Sequence, residues 1–225
     1  MIISAKNLNL GYGKDAVIKN ATFEIEAEDF VFITGVSGSG KSTLLRSMYG
    51  NLRVKSGFLT VCGYNLHSAK KSEIASLRQK IGIIFQDYKL IKEWSVAKNI
   101  LLSMEITNHP QTRALRIEQM ENLLAHVKLE HKIKKYPLEL SGGEQQRVAL
   151  ARAMARAPKI IFADEPTGNL DDYSSNIIWR LLEGANEQMH ATIIVVTHRM
   201  PDEINARKFR RLHIENGEIY ENKNI

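Results

Sequence analysis

The chain has 225 residues, 44% of them hydrophobic and 25% charged, which supports one sizeable core and excludes a disordered or fibrous protein. Its single cysteine, Cys62, excludes an internal disulfide framework, and no run approaches the roughly 18 apolar residues of a membrane span. The formal charge of +6, from 31 basic and 25 acidic residues, suits an anionic ligand, an anionic lipid surface or nucleic acid, but it is scattered rather than blocked, so most of it reads as solvated surface; on grounds other than charge, no nucleic-acid partner is expected.

The opening MIISAKNLNL lacks the basic-then-apolar layout of a secretory signal, which points to a cytoplasmic setting. Through residue 30 the chain alternates apolar and polar residues in short bursts, the pattern of antiparallel strands with a turn near Gly11 to Asp15. FVFIT then runs into glycines, and KSTLLRSMYG predicts a helix ending at Gly50. KIIFAD and TIIVVTH are continuous apolar runs of the kind buried in parallel sheets, with helical stretches between them, so the core is expected to be α/β. Between Tyr88 and Pro137 no such strand is expected. There TRALRIEQMENLLAHVKL sets Leu115, Met120, Leu123, Leu124 and Val127 along one helical stripe. Residues 88–137 are therefore expected to form a helical subdomain inserted into a core made of 1–87 and 138–225. Near the end, Asn216 and Gly217 separate two alternating segments, a type I′ hairpin signal because both turn residues must accept positive φ.

The chemistry starts at GVSGSGKS, residues Gly35, Val36, Ser37, Gly38, Ser39, Gly40, Lys41 and Ser42. Glycines between a strand and a helix let backbone N–H groups turn inward around phosphates, and the helix end adds partial positive charge. Lys41 is expected on the β and γ phosphates and Ser42 on Mg²⁺; Thr43 is either a donor to the α phosphate or a plain helix residue. KIIFADE ends a strand in Asp164, placed for the Mg²⁺ shell, followed by Glu165, placed to orient or deprotonate an attacking water. Gln86, after the strand in IIFQDY, is a candidate sensor of γ phosphate, metal or water. His198 ends VVTH, where a neutral imidazole would contact the γ phosphate. Tyr12, between Gly11 and Gly13, either stacks on adenine or packs locally. LSGGEQQ, residues 140–146, has the look of a second anion cradle.

Taken in order, GYG, GVSGSGKS, FQD, LSGGEQQRVALARA, FADEP, GNLD and VVTH resemble the ATP-binding-cassette ATPases over essentially the whole chain. The resemblance implies a phosphate-loop NTPase fold with a RecA-like core, a mixed sheet with N-terminal antiparallel strands and an inserted helical subdomain. It also implies ATP and Mg²⁺ as cofactors and a head-to-tail homodimer. Ser141, Gly142 and Gly143 of one copy would close on the γ phosphate held by Lys41 of the other, with Asn169, Leu170 and Asp171 communicating across the interface; Asp171 joins the ATP-binding set. Whether Gln145, Gln146 and Arg147 act at that interface or only extend the helix stays open. Within the superfamily, IIFQDYKLI and LSGGEQQRVALARAMARAPKIIFADEPTGNLDD resemble the FtsE subgroup, bacterial cell-division ATPases with the integral membrane partner FtsX. Lipoprotein-releasing and macrolide-exporting relatives share part of that text. An FtsX-like partner implies a peripheral position on the cytoplasmic face of the bacterial inner membrane. DYKLIKEWSVAKNI, with Tyr88, Leu90, Ile91 and Trp94, is the candidate contact for the partner, or part of the lobe's own core. Arg199 stands where relatives carry Asp after the histidine, which puts the usual hydrogen bonding there in doubt.

Overall fold

A computed structural model describes residues 1–106, 112–198, 200–201 and 209–223. In chain order its elements are β1 (Ile3–Leu10), β2 (Ile18–Ile25), β3 (Phe30–Thr34), α1 (Lys41–Met48), β4 (Ser56–Val61), β5 (Tyr64–Asn65), α2 (Lys71–Gln79) and β6 (Ile81–Ile84). There follow α3 (Val96–Glu105), α4 (Arg113–His126), α5 (Gly142–Met154), β7 (Ile160–Asp164), α6 (Asp172–Met189), β8 (Thr192–Val196), β9 (Phe209–Glu215) and β10 (Glu218–Lys223). Short 3-10 turns at Glu130–Lys132 and Pro137–Glu139 lead from α4 into α5.

The strands form two sheets. β2, β1, β4 and β5 make an antiparallel sheet, and the second sheet runs β10-β9-β3-β8-β7-β6. In the second, β9, β3, β8, β7 and β6 are parallel and β10 returns antiparallel to β9. Apolar residues on both faces explain the continuous runs seen in the sequence. Val31 and Ile33 of β3, Phe162 of β7 and Ile194 and Val196 of β8 face α1 and the first sheet. Their neighbours Phe30, Phe32, Ile161, Ile193 and Val195 face the helices α3 to α6. Side chains alternate across a strand, so each parallel strand serves two cores.

The ends of the elements follow local chemistry. At the end of α1, Gly50 has φ +70, its N–H reaches Ser47 O at 3.0 Å, and the Asn51 N–H reaches Arg46 O at 2.8 Å. That is a Schellman stop, which needs the left-handed glycine. The helix itself closes at Met48, two residues before the expected Gly50. The final hairpin is the expected two-residue turn, with Asn216 at φ +53 and Gly217 at φ +85 between the paired Glu215 and Glu218. A Cβ on Gly217 would lie 2.7 Å from Val17 O, so this glycine also lets the hairpin settle against the first sheet. On α4 the expected stripe holds at Met120 and Leu124 and continues into Val127, but Leu115 is 52% exposed. Leu115 sits one turn after the Thr112 cap, before the helix meets its packing partners.

Candidate active site

Parallel strands deliver their C-terminal ends to one edge of a sheet, and in α/β proteins ligands collect there. Here the register places Ile33 of β3 and Asp164 of β7 on either side of Val196 of β8, and Ile84 of β6 beside Ala163. The loop Gly35–Gly40, Gln86, the Asp164–Glu165 pair and His198 therefore leave adjacent strands at the same edge.

The phosphate loop is shaped by what its glycines avoid. Gly35, Gly38 and Gly40 have φ of +147, +79 and +110. A Cβ on Gly35 would fall 2.4 Å from Ile214 O of β9, and one on Gly40 2.7 Å from Ile18 Cδ1. Val36, Ser37 and Gly38 are exposed at the rim, and the Ser39 Oγ is buried with no partner. The N-terminus of α1 has neither a side-chain cap nor an acidic residue in its first turn. By contrast Ser141 caps α5 and Asp171 caps α6. Uncapped N–H groups and an orphan hydroxyl are donors that an anion could satisfy. Lys41, 9% exposed, folds back onto its own loop, with Nζ 2.8 Å from Gly35 O and 3.0 Å from Val36 O. Ser42 is half-buried and Thr43 is 7% exposed, both in the first turn of α1.

Burial, and then the neighbouring Glu165 charge, push the Asp164 carboxyl above its ordinary value, while Arg46 and Lys41 pull the other way. A carboxylate held in that state is relieved by a cation. Among the described residues no group of three His, Cys, Asp or Glu side chains could hold a metal by itself. The hydroxyl of Ser42 and the carboxylate of Asp164 nevertheless suit Mg²⁺, which is bound by one or two protein oxygens, with phosphates and water completing its shell.

Glu165 takes φ +47, a left-handed conformation that costs a non-glycine residue about 1–2 kcal/mol. Its N–H bonds Val196 O at 2.9 Å, and its side chain, 15% exposed, has Oε2 3.0 Å from His198 Nδ1. The strained turn aims the carboxylate across the edge at the histidine. Arg199 lies outside the described residues, so its effect on that pair is not part of the geometry. Gln86 is exposed; its backbone O lies 3.5 Å from Asn169 Nδ2, and a Cβ on Gly168 would be 3.3 Å from its Nε2. Tyr12 is 51% exposed, and its hydroxyl near the Arg46 guanidinium holds that group above its ordinary pKa.

The second cradle lies apart, at the start of α5. Ser141 Oγ accepts the Glu144 N–H at 3.2 Å and Glu144 Oε2 accepts the Ser141 N–H at 2.8 Å, a capping box. Cβ atoms on Gly142 and Gly143 would lie 2.9 Å from Tyr88 Oη and 2.7 Å from Ser174 Oγ, so the glycines let those side chains close in. Asp171 is engaged as the α6 cap, accepting from Ser174 N at 2.7 Å and Ser174 Oγ at 3.0 Å. The side chains of Gln145, Gln146 and Arg147 are all tied inside the chain. Gln145 bonds Leu140 O at 3.2 Å, Arg147 bonds Val127 O at 3.2 Å, and buried Gln146 bonds Pro166 O at 2.6 Å, joining α5 to the turn after Glu165.

Sequence reasoning missed the side chains that fix the segment after Gln86. Asn99, fully buried in α3, accepts from Ile91 N at 2.8 Å and donates towards the carbonyls of Ile91, Trp94 and Ser95 at 3.0, 3.0 and 3.1 Å. Arg152 of α5 holds Lys89 O at 2.7 Å and Tyr88 O at 2.8 Å. A polar residue inside the apolar run VAKNILL was the available signal. Tyr88, Leu90, Ile91 and Trp94 are all half-buried, and Leu90 packs on the helical core. Beside α3, a groove of about 1080 Å³ runs between the core and the helices, from Leu52, Arg53 and Val54 past Ile74 and Arg78 to Ile106.

The family model described as ABC transporter matches residues 18–168. The chain belongs to the ABC transporter ATPase family. It is 42% identical over 202 residues to the cell division ATP-binding protein FtsE of Streptococcus pneumoniae, covering 90% of this chain and 86% of that one. It is 41% identical over 208 residues to the lipoprotein-releasing system ATP-binding protein LolD 1 of Chlorobium chlorochromatii, covering 92% and 83%. Among solved structures, a dimeric post-hydrolysis state of the ATP-binding cassette MJ0796 bound to ADP and Pi matches with a TM-score of 0.85 and 32% identity over 98% of both chains. The protein is thus an ATP-binding, ATP-hydrolysing cassette of a family whose ATPases work as dimers and with membrane subunits. No helix among the described residues is long and apolar enough to cross a membrane.

Proposed function

We propose that this chain is the ATPase subunit of a membrane-associated complex of the FtsE–FtsX kind, regulating cell division and cell-wall hydrolysis through ATP-driven closure of a head-to-tail homodimer. The observation that carries the reading is that the two glycine-rich helix ends have different neighbours. α1 opens beside Asp164 and Glu165, while α5 opens among Tyr88, Leu170 and Ser174. A chain with both halves, each incomplete, is satisfied by a second copy facing the other way.

In this reading the loop Gly35–Gly40 and the first turn of α1 bind the phosphates, and Lys41 leaves Gly35 O and Val36 O for the β and γ phosphates. Ser42, Asp164 and Gln86 would hold Mg²⁺, which would supply positive charge against the phosphates. Glu165 orients the water and takes its proton, and His198 turns its single N–H from the Glu165 carboxylate to the γ phosphate when ATP is bound. Tyr12 covers the adenine, and Thr43 supports the α phosphate. Ser141, Gly142 and Gly143 contact the γ phosphate of the other copy, and Asp171 lies at the interface. Loss of that phosphate reopens the pair. Taking such an equilibrium from 1:99 to 99:1 requires about 5.5 kcal/mol of differential binding, which two sites of charge-assisted hydrogen bonds supply.

Residues 88–137 act as a helical subdomain against the core of 1–87 and 138–225, and the groove between them receives the membrane partner. The segment fixed by Asn99 and Arg152 follows Gln86 and passes its state to α3, whose Ser103 lines that groove. The partner holds the protein on the cytoplasmic face of the inner membrane. A lipoprotein-releasing or macrolide-exporting role is the second reading, favoured by the 41% identity to LolD 1. Affinity capture from native membranes separates them: recovery of an FtsX-like division protein supports the first reading, and recovery of lipoprotein-release subunits without it overturns that reading.

A further inference from the structure

The signature helix contains a charge that its proposed ligand would not welcome. Glu144 is the third residue of α5, and its carboxylate lies on the Ser141 N–H at 2.8 Å, at the same helix end that offers the Gly142 and Gly143 N–H groups. The side chain is only 18% exposed, so water screens it poorly. One cation meets it directly. Lys132, from the 3-10 turn Glu130–Lys132, has Nζ 3.3 Å from Glu144 Oε1 and is 25% exposed. Arg147, whose guanidinium is engaged by Val127 O, is a second, more remote positive charge. Burial alone would push the Glu144 carboxyl up, but the Ser141 N–H and Lys132 outweigh it and hold the group below its ordinary pKa. The carboxylate therefore stays charged beside the cradle.

We propose that Lys132 is a positioning residue for ATP-driven closure, neutralising Glu144 so that Ser141, Gly142 and Gly143 accept the phosphate presented by a second copy. This rests on the shared-site reading of the signature. Glu144 itself serves the capping box, satisfying the Ser141 N–H at the start of α5; its charge is a by-product that Lys132 cancels. A purely structural ion pair would instead tie the 3-10 turn to α5 and have no bearing on ATP.

The test uses the full chain carrying Glu165→Gln, with the ATP concentration for half-maximal dimer formation read by light scattering and the melting temperature read without nucleotide. Lys132→Met is expected to raise that concentration about fivefold, the scale of a partly exposed pair. Lys132→Arg should stay near the reference. Adding Glu144→Gln to Lys132→Met, which keeps the cap but removes the charge, should return the value to within about twofold of it. The proposal is overturned if Lys132→Met lowers only the melting temperature, or if Glu144→Gln fails to rescue it. If the Glu165→Gln reference forms no dimer at any ATP concentration, the shared-site reading itself has failed, and the role of Lys132 with it.

Discussion

Replacing Asp164 by Asn should make the nucleotide-free protein more stable and far less active. Burial and the adjacent Glu165 raise the Asp164 carboxyl above its ordinary 3.8, so the native state binds this proton more readily than the unfolded chain does. The sign follows directly. A group whose folded pKa is raised destabilises the native state once it ionises, so the penalty is absent below 3.8, grows as pH rises through the folded value, and is complete at neutral pH. Asn at this position is isosteric and never ionises. The gain at pH 7 should fall within the ~0.5–2 kcal/mol typical of relieving a strained functional site, or roughly 2–4 °C in melting temperature per kcal/mol for a chain of this size. Differential scanning calorimetry of both proteins from pH 7 down to 4, without nucleotide or Mg²⁺, should show the gain shrinking as pH falls. Saturating Mg²⁺ and ATP should reverse the order, because only the wild type gains the ion's contribution. A variant that is less stable at pH 7, or whose gain does not change with pH, would refute the electrostatic account of Asp164.

Other outcomes follow from single contacts. Lys41→Ala should abolish the ATP-induced thermal shift while leaving the apo fold intact, because among the described residues Nζ hydrogen-bonds two carbonyls of its own loop. Asn99→Leu removes one acceptor and three donor contacts from the segment 91–95 and should cost about 2–4 kcal/mol in urea unfolding, since the backbone groups it served are left without partners. That variant should also lose stimulation by membrane partner more than basal turnover. Gly217→Ala, at φ +85 with a Cβ 2.7 Å from Val17 O, should cost about 1–3 kcal/mol and leave the ATP concentration dependence unchanged.

What the sequence reveals here depends on how local the signal is. The glycine turn Gly35–Gly40 between β3 and α1, the Asp164–Glu165 strand end and the Asn216–Gly217 hairpin are legible because each depends on backbone conformations that a few adjacent residues dictate. The hairpin formed by β4 and β5, and the helix α2, were not identified. In α2 only Leu77 is buried, so KSEIASLRQ carries too little periodicity to stand out. Leu115 fits the stripe of α4 in spacing yet faces solvent, because spacing does not say where along a helix its neighbours begin. Asn99, Arg152 and Lys132 work through contacts with residues that the fold alone brings near: Arg152 reaches back more than 60 positions to Lys89 and Tyr88. The direct bond from Glu165 to His198, 33 positions apart, likewise needs β7 and β8 to be neighbours. The question left open by LSGGEQQ is narrowed by tertiary structure: Gln145, Gln146 and Arg147 are each bonded to backbone carbonyls of their own chain.

The most direct test is the mass of the Glu165→Gln protein with saturating ATP, alone and combined with Ser141→Arg. The shared-site account predicts a shift to twice the monomer mass for Glu165→Gln and none when Ser141→Arg is added. A dimer that forms equally well with Ser141→Arg, or without ATP, would contradict it.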